Sequence, residues 1–398
     1  MRIVHIADFL STHLGYQELL LAKWNAKHGH EVSIVTSNRN PPAPDYRASF
    51  EPILGPRQMP TGVTSYSGLT IHRLPVFGEY RTRIVMRGLS QTVIGLRPEA
   101  IFCHGTMSPT VVQAAQSASK LGVPLFVDNH MVFSVMDSSP LGQAAYFGAR
   151  QFMRSYLAPR VEKFYGVAQE CSDFLIQAQG VPSEQVDLLP LGVDTEIFDY
   201  SAEGRLRVRA NWGLPDEAVV IAQTGKMDVG KDPVTLARAA ARVAQAHDDT
   251  FVAFVGSGPV QQAEAVRAEF AGLEDRLVMA SAVPVHDLAD VFSACDVVVF
   301  PGGTSMSSLE AAACGRVVVM NDLPASKWRA EMGVGVTFPD KDVDALAELL
   351  TALVEDGNLR KSNGERAQAS VVEKFSYDKV ARHLELDIAN ALERRSKS

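Results

Sequence analysis

The segment Thr304-Ser305-Met306-Ser307-Ser308-Leu309-Glu310 sets small hydroxyl residues beside one carboxylate, directly after the strand expected over Asp296–Phe300 and the turn Pro301-Gly302-Gly303. A strand, a glycine turn and a helix in that order leave backbone N–H groups free to face a phosphate or a sugar oxygen. A helix over Leu309–Cys314 places Glu310 in its first turn, where the carboxylate can accept hydrogen bonds from a vicinal diol such as that of ribose. The same residues also fit a plain joint whose acidic residue complements the helix dipole. A second constellation, Gly225-Lys226-Met227-Asp228-Val229-Gly230-Lys231-Asp232, carries two lysines five positions apart around a glycine. Two cations on one loop can neutralise a diphosphate and stabilise the charge that builds on it as a leaving group. A solvated loop is the alternative; its place after the first strand of the second half favours the phosphate reading.

Other candidates are weaker. Val255-Gly256-Ser257-Gly258-Pro259 is not G-x-G-x-x-G, so a dinucleotide fingerprint fails there. His104 and His130 each follow a strand, a position that suits a packed or capping residue as well as a catalyst. The turn Phe9–Glu18 has Gly15 to relieve its crowding. No acidic pair or His/Cys cluster has metal-ligand spacing, so neither a metal nor another cofactor is expected. Residues 80–97 carry Arg81, Arg83, Arg87 and Arg97 among Ile84, Val85, Met86, Leu89, Val93 and Ile94. They read as a basic amphipathic helix, either a core stripe with a solvated face or a membrane-surface contact.

The elements that must hold these residues are short β-branched runs alternating with longer amphipathic stretches, the pattern of βα units and a parallel sheet. Strands are expected at 2–7, 31–36, 100–103, 124–128 and 164–168, then at 218–222, 250–255, 277–280, 297–300 and 317–320. A helix is expected from Gln17 to His28, stopped by Gly29. The Pro-, Arg- and Ser-rich segment 38–64 reads as a long functional loop or an irregular excursion. A boundary near 191–200 divides the chain into two doubly wound α/β domains, 1–196 and 197–376. The final helix, 377–395, is compatible with either, and the domain division has 377–398 packing back on the first. At 398 residues the length suits two or three domains. The net charge of −8 argues against a nucleic-acid binder. The four cysteines are scattered, which fits a reducing compartment. No apolar run approaches the roughly 18 residues that span a bilayer, and the N-terminus reads as a strand rather than a signal peptide. A cytoplasmic protein is expected.

Together these pieces resemble the retaining GT-B glycosyltransferases of family 4. Leu189–Asp194 with Phe198 is similar to the family's interdomain P-x-G-V-D…F signature. Gly225-Lys226 with Lys231 resembles its G-R-x-x-x-x-K loop, with lysine for arginine, and Leu309–Gly315 is close to its L-E-A-M-A-C-G helix. Gly15-Tyr16-Gln17-Glu18 resembles the G-G-x-E turn, with tyrosine at the second glycine, and His28–Val32 matches x-G-H-E-V. The resemblance implies two Rossmann-like domains facing across a cleft, and metal-free transfer of a sugar from a nucleotide-diphospho sugar, UDP-linked before GDP-linked, to an acceptor hydroxyl. It implies that Lys226 and Lys231 hold the diphosphate and Glu310 the ribose, with Gly15 and Gly225 lining the donor. Backbone near Val283 would meet the base, and Thr304, Ser305, Met306 and Ser307 the sugar and phosphates. His130 would line the sugar and acceptor side, with His104 and Tyr16 as further acceptor-side candidates. The family's donor loop has a glutamate eight positions before the one at 310; here that position is Gly302. Either another group, Ser305 or Ser307, reads the sugar hydroxyls instead, or the donor sugar differs, or activity is lost. A nucleotide-sugar epimerase and a non-catalytic partner-binding homologue stay open as alternatives. The implied acceptor is a carbohydrate or lipid-linked glycan of bacterial surface polysaccharide assembly, with peripheral inner-membrane contact through 80–97.

Overall fold

Runs of Val, Ile and Phe become strands covered on both faces, because such runs have no polar side to give to water. In the computed structural model, which describes residues 1–12, 15–43, 46–136 and 139–397, they are distributed over two units. The first comprises Met1–Leu191 and Tyr377–Ser398, the second Gly192–Ser376.

The first unit contains β1 (Arg2–Ala7), β2 (Glu31–Ser37), β3 (Gly62–Tyr66), β4 (Leu69–Leu74), β5 (Val76–Tyr80), β6 (Arg83–Met86), β7 (Ala100–His104), β8 (Leu125–Asn129), β9 (Lys163–Gly166) and β10 (Val186–Leu188). Eight of them form one sheet in the order β10-β9-β8-β7-β1-β2-β4-β3, parallel except for β3. Side chains alternate between its faces. Val4, Ile6, Ile101 and Val127 pack with Val111, Ala114 and Ala118 of the helix Pro109–Leu121. Ile3, Phe102, Phe126 and Tyr165 pack with Leu21 and Trp24 and with Val380, Leu384 and Ile388 of the final helix, Tyr377–Ser396. The Tyr165 hydroxyl donates to Asp387 at 2.6 Å, anchoring that helix to the first unit.

Residues 80–97 are not one helix. β5 and β6 pair as a separate antiparallel hairpin, and only Leu89–Leu96 is helical. Arg81 turns the chain with φ +54°. Ile84 and Met86 are buried while Arg83 and Arg87 are exposed, a period of two rather than 3.6. Segment 38–64 is likewise more ordered than a loop. It holds the single helical turns Tyr46–Ser49 and Glu51–Leu54, and Asn40 donates to the carbonyls of Leu54 and Pro56.

The second unit contains β11 (Val219–Lys226), β12 (Thr250–Ser257), β13 (Leu277–Ala280), β14 (Val297–Phe300), β15 (Val317–Asn321) and β16 (Val336–Phe338), all parallel in the order β13-β12-β11-β14-β15-β16. Val220, Ala222, Ala253 and Val298 face one helical layer, Val219, Ile221, Phe254 and Val299 the other. The order reverses between β11 and β14, so the connections leaving these neighbours diverge and open a crevice at their carboxyl ends.

Candidate active site

Both constellations of the second unit arrive at that crevice. The loop after β11 carries Lys226 and Lys231; the loop after β14 leads into the helix Met306–Ala313. Gly225, with φ +104°, takes a conformation that a side chain would strain. The following turn is fixed from its own residues. Asp228 accepts from the Lys231 amide at 3.0 Å, and the Gln223 amide donates to the Lys231 carbonyl at 3.0 Å. Neither lysine ammonium is part of an ion pair among the described residues; Lys226 is exposed and Lys231 half-buried. Gly302 packs against this turn so closely that a Cβ there would lie 2.2 Å from the Gly230 oxygen and 2.5 Å from the Lys231 Cα.

The helix after β14 starts at Met306, three residues before the expected start, so Glu310 lies in its second turn rather than its first. Ser305 is the N-cap residue without a side-chain cap bond, and Met306 and Ser307 supply the leading N–H groups that a helix cannot satisfy internally. Arg329, on the helix Pro324–Glu331, donates to the Ser305 carbonyl and the Ser308 hydroxyl, holding the loop from behind. Nothing local in the sequence marks Arg329, because its partners lie more than twenty residues away. Burial raises the Glu310 carboxyl to about 7, against a hydrogen bond from Ser307 and the Arg329 charge. Ser307 is thus engaged with Glu310, which leaves Thr304 and Ser305 as the half-buried hydroxyls of the loop. Val283 lines a cavity of about 320 Å³ with Trp212, Val255 and Ala280, at the carboxyl ends of β12 and β13.

In the first unit the corresponding reversal lies at β1 and β7. Asp8, just after β1, is raised to about 6 by burial, against hydrogen bonds from Ser108 and Thr110. Its place at a strand end was the only sequence signal for it. His104 ends β7 and His130 follows β8, and both meet Asp128: His104 Nδ1 at 2.7 Å and His130 Nε2 at 3.5 Å from Oδ2. Burial opposes charge on Asp128, but the two histidines and their hydrogen bonds outweigh it and hold the carboxyl below the usual range. Burial also opposes charge on His130; attraction to Asp128, its hydrogen bond and Glu18 outweigh it and raise the imidazole. The His104 side chain is only 3 % exposed and bonded at both ends, which leaves none of its polar atoms for a ligand, whereas His130 is 39 % exposed. Tyr16 is exposed, and Gly15 is neither crowded nor at positive φ, so it relieves no crowding in its turn. Leu14, which precedes it, lies outside the described residues.

The profile of the Glycosyl transferases group 1 family matches residues 205–370, and that of the Glycosyl transferase 4-like domain matches residues 18–192. The chain belongs to the family 4 glycosyltransferases of the GT-B fold. It is 27 % identical over 321 residues to a D-inositol 3-phosphate glycosyltransferase of Kribbella flavida, covering 76 % of this chain and 73 % of that one. It is 28 % identical over 186 residues to a GDP-mannose-dependent phosphatidylinositol monomannoside mannosyltransferase of Mycolicibacterium smegmatis, covering 44 % and 48 %. Among solved structures it resembles HepE of Anabaena in complex with UDP, with a TM-score of 0.69, 16 % identity, and 98 % and 100 % coverage. The family assignment makes this chain a glycosyltransferase.

Among the described residues, Asp187, His383 and Asp387 form a group with the spacing of metal ligands. The Lys163 ammonium already lies 2.9 Å from Asp387 and 3.3 Å from Asp187, matching much of their charge. No described helix is long and apolar enough to cross a membrane.

Proposed function

We propose that this transferase takes its glycosyl group from a nucleotide-diphospho sugar, UDP-linked in first place and GDP-linked in second, and delivers it to an acceptor hydroxyl with the anomeric configuration retained and without a metal. The observation that carries this reading is the convergence at one sheet crevice of two ammonium groups outside any described ion pair, the leading amides of the donor-loop helix and the half-buried Glu310. Lys226 and Lys231 neutralise the departing diphosphate, the part a divalent cation plays elsewhere. Glu310 accepts from the ribose diol, and the cavity beside Val283 takes the base. In same-face attack the departing diphosphate oxygen helps remove the acceptor proton, so no enzymic nucleophile is used. His130 lines the acceptor side. The UDP complex of HepE supports a uridine donor. The inositol phosphate and phosphatidylinositol mannoside relatives support a polyol or lipid-linked acceptor, and the transfer is assigned by this proposal to glycoconjugate assembly on the cytoplasmic side of the membrane.

The test is a panel of nucleotide sugars read as released nucleotide. Release from a UDP- or GDP-sugar, accelerated by an acceptor, is the expected result. A new sugar isomer formed without acceptor would identify an epimerase instead, and no release from any donor together with no thermal shift would identify a non-catalytic binder.

Glu310 adds a pH signature. Its carboxyl titrates near 7 when free. Two ribose hydroxyls donate only to the ionised form, so donor binding expels a proton. Affinity for a nucleotide sugar, whose diphosphate does not titrate here, should therefore rise about tenfold from pH 6 to pH 8 and then level. Calorimetry across that range should show Glu310→Gln both weaker and flat; an unchanged slope in the variant would dissociate Glu310 from the ribose.

The β5–β6 hairpin, rather than a helix, is the surface for lipid contact. Phe77 and Tyr80 are 79 % and 66 % exposed, and Arg81, Arg83 and Arg87 flank them. At roughly 1 kcal/mol per basic residue near an anionic surface, reversing three charges should abolish sedimentation with phosphatidylglycerol vesicles. Undiminished binding of Arg81/Arg83/Arg87→Glu would remove this contact.

A further inference from the structure

A line of hydrogen bonds runs through the interior of the first unit from His130 to the final helix. Asp128 Oδ2 lies 3.5 Å from His130 Nε2 and accepts from His104 Nδ1 at 2.7 Å. His104 Nε2 lies 3.4 Å from His5 Nδ1, and His5 Nε2 lies 3.0 Å from Asn25 Oδ1. The Asn25 amide nitrogen donates to Glu385 Oε1 at 2.7 Å. His5, Asn25 and Asp128 are fully buried, and His104 nearly so. Such a chain admits few proton arrangements, since every contact needs one donor and one acceptor.

Glu385 accepts from Asn25, which turns the Asn25 oxygen toward His5. His5 must then carry its proton on Nε2 to donate to that oxygen. At the near end His104 must carry a proton on Nδ1 to donate to Asp128. If both rings were neutral, His104 Nε2 and His5 Nδ1 would face each other as bare acceptors. A hydrogen bond across this 3.4 Å contact needs one further proton, which makes one of the two rings an imidazolium. Asp128 is the carboxylate in contact, and it touches His104, not His5. We infer that His104 is a permanent buried imidazolium, the counter-charge of Asp128, held in that state by the fixed polarity of the chain through His5 and Asn25 to Glu385. Burial and the neighbouring His104 together drive His5 down to about 3, which agrees with a neutral His5.

His104 is therefore a positioning residue that acts through Asp128. Compensated by His104, Asp128 orients the His130 ring through Nε2 and leaves Nδ1 for the acceptor side. Other titratable groups meet the chain at its two ends. Glu18 acts on His130, while His28 and His30 share Glu385, and Asp378 accepts from His28 at 2.9 Å. None of these lies between His104 and Asp128. The charge assignment stands apart from the donor reading; its consequence for turnover rests on that reading.

The test uses the full chain labelled with ¹⁵N in its histidine rings, with the His104 signals assigned by His104→Gln. Both His104 ring nitrogens should read as protonated from pH 6 to pH 8.5 without substrate. A single neutral tautomer at pH 7 would overturn the inference. Asn25→Leu touches neither His104 nor Asp128, but it frees His5 to move its proton to Nδ1 and donate to His104. In that variant His104 should become neutral, and His130, facing an uncompensated Asp128, should titrate about one pH unit higher. Loss of turnover with His104 still doubly protonated would assign Asn25 a merely structural part and overturn the chain. Since the spectrum needs no donor, a negative donor panel leaves it interpretable.

Discussion

Replacing Lys231 with alanine is expected to lower kcat on the order of a hundredfold or more while leaving thermal stability near that of the parent chain. Stability should hold because the turn is not built on the ammonium. The Lys231 amide is held by Asp228 and its carbonyl by Gln223, bonds that alanine retains. With the proposed donor the kinetic loss falls on kcat, because charge on the diphosphate grows as the glycosidic bond breaks and the ammonium is worth more in the transition state than in the bound donor. Lys231 should matter more than Lys226, since a half-buried cation acts through a lower local dielectric than an exposed one. Lys231→Arg should recover part of the rate, and the double alanine variant should lose less than the product of the single losses, as groups acting on one leaving group do. Steady-state rates with a saturating donor decide the matter. Lys231→Ala turning over within threefold of the parent would remove the ammonium from the mechanism.

Much of this was legible in the sequence because it is local. The strands 277–280 and 297–300 and the helix beginning at Gln17 follow from continuous apolar runs and caps, and the two lysines and Glu310 stand on the connections that a parallel sheet sends to its carboxyl edge. What stayed hidden depends on residues far apart in the chain. Asp128 looks like the polar end of an apolar strand until the fold brings His104 and His130 to it. Arg329 gains its meaning only from Ser305 and Ser308 across the sheet edge. Residues 80–97 suggest a helix where the chain forms a hairpin strand and a short helix, because four arginines among apolar residues satisfy a helical stripe nearly as well as a two-residue alternation. Arg81 at positive φ, which decides between them, leaves no mark in composition. β4 and β16 escaped for a related reason: the one carries His72 and Arg73, the other spans only Val336–Phe338, and neighbouring strands rather than propensity make them pair.

Gly302 joins both kinds of information. The family resemblance sets a glutamate at this position, and restoring it would be the natural repair. Gly302→Glu is expected to abolish donor-dependent turnover, with a loss of at least about a hundredfold, because the change moves the turn that carries Lys231. The obstacle is the first atom of any side chain. A Cβ at 302 would sit 2.2 Å from the Gly230 oxygen and within 2.6 Å of Lys231 backbone, where no rotamer gives relief. Overpacking of this kind costs about 1–3 kcal/mol and is relieved here by displacing residues 229–231. Gly302→Ala is the decisive arm, since it adds the Cβ without the carboxylate. Alanine and glutamate should lose comparable activity and melt a few degrees lower, and the ammonium of Lys231 should contribute less in both backgrounds than in the parent. If alanine is silent while glutamate gains rate with a UDP- or GDP-sugar, backbone packing does not explain Gly302, and the missing carboxylate alone distinguishes this donor site. If both fail as expected, the chain has given up the glutamate for a backbone-to-backbone contact, and the half-buried hydroxyls of Thr304 and Ser305 are left to read the transferred sugar.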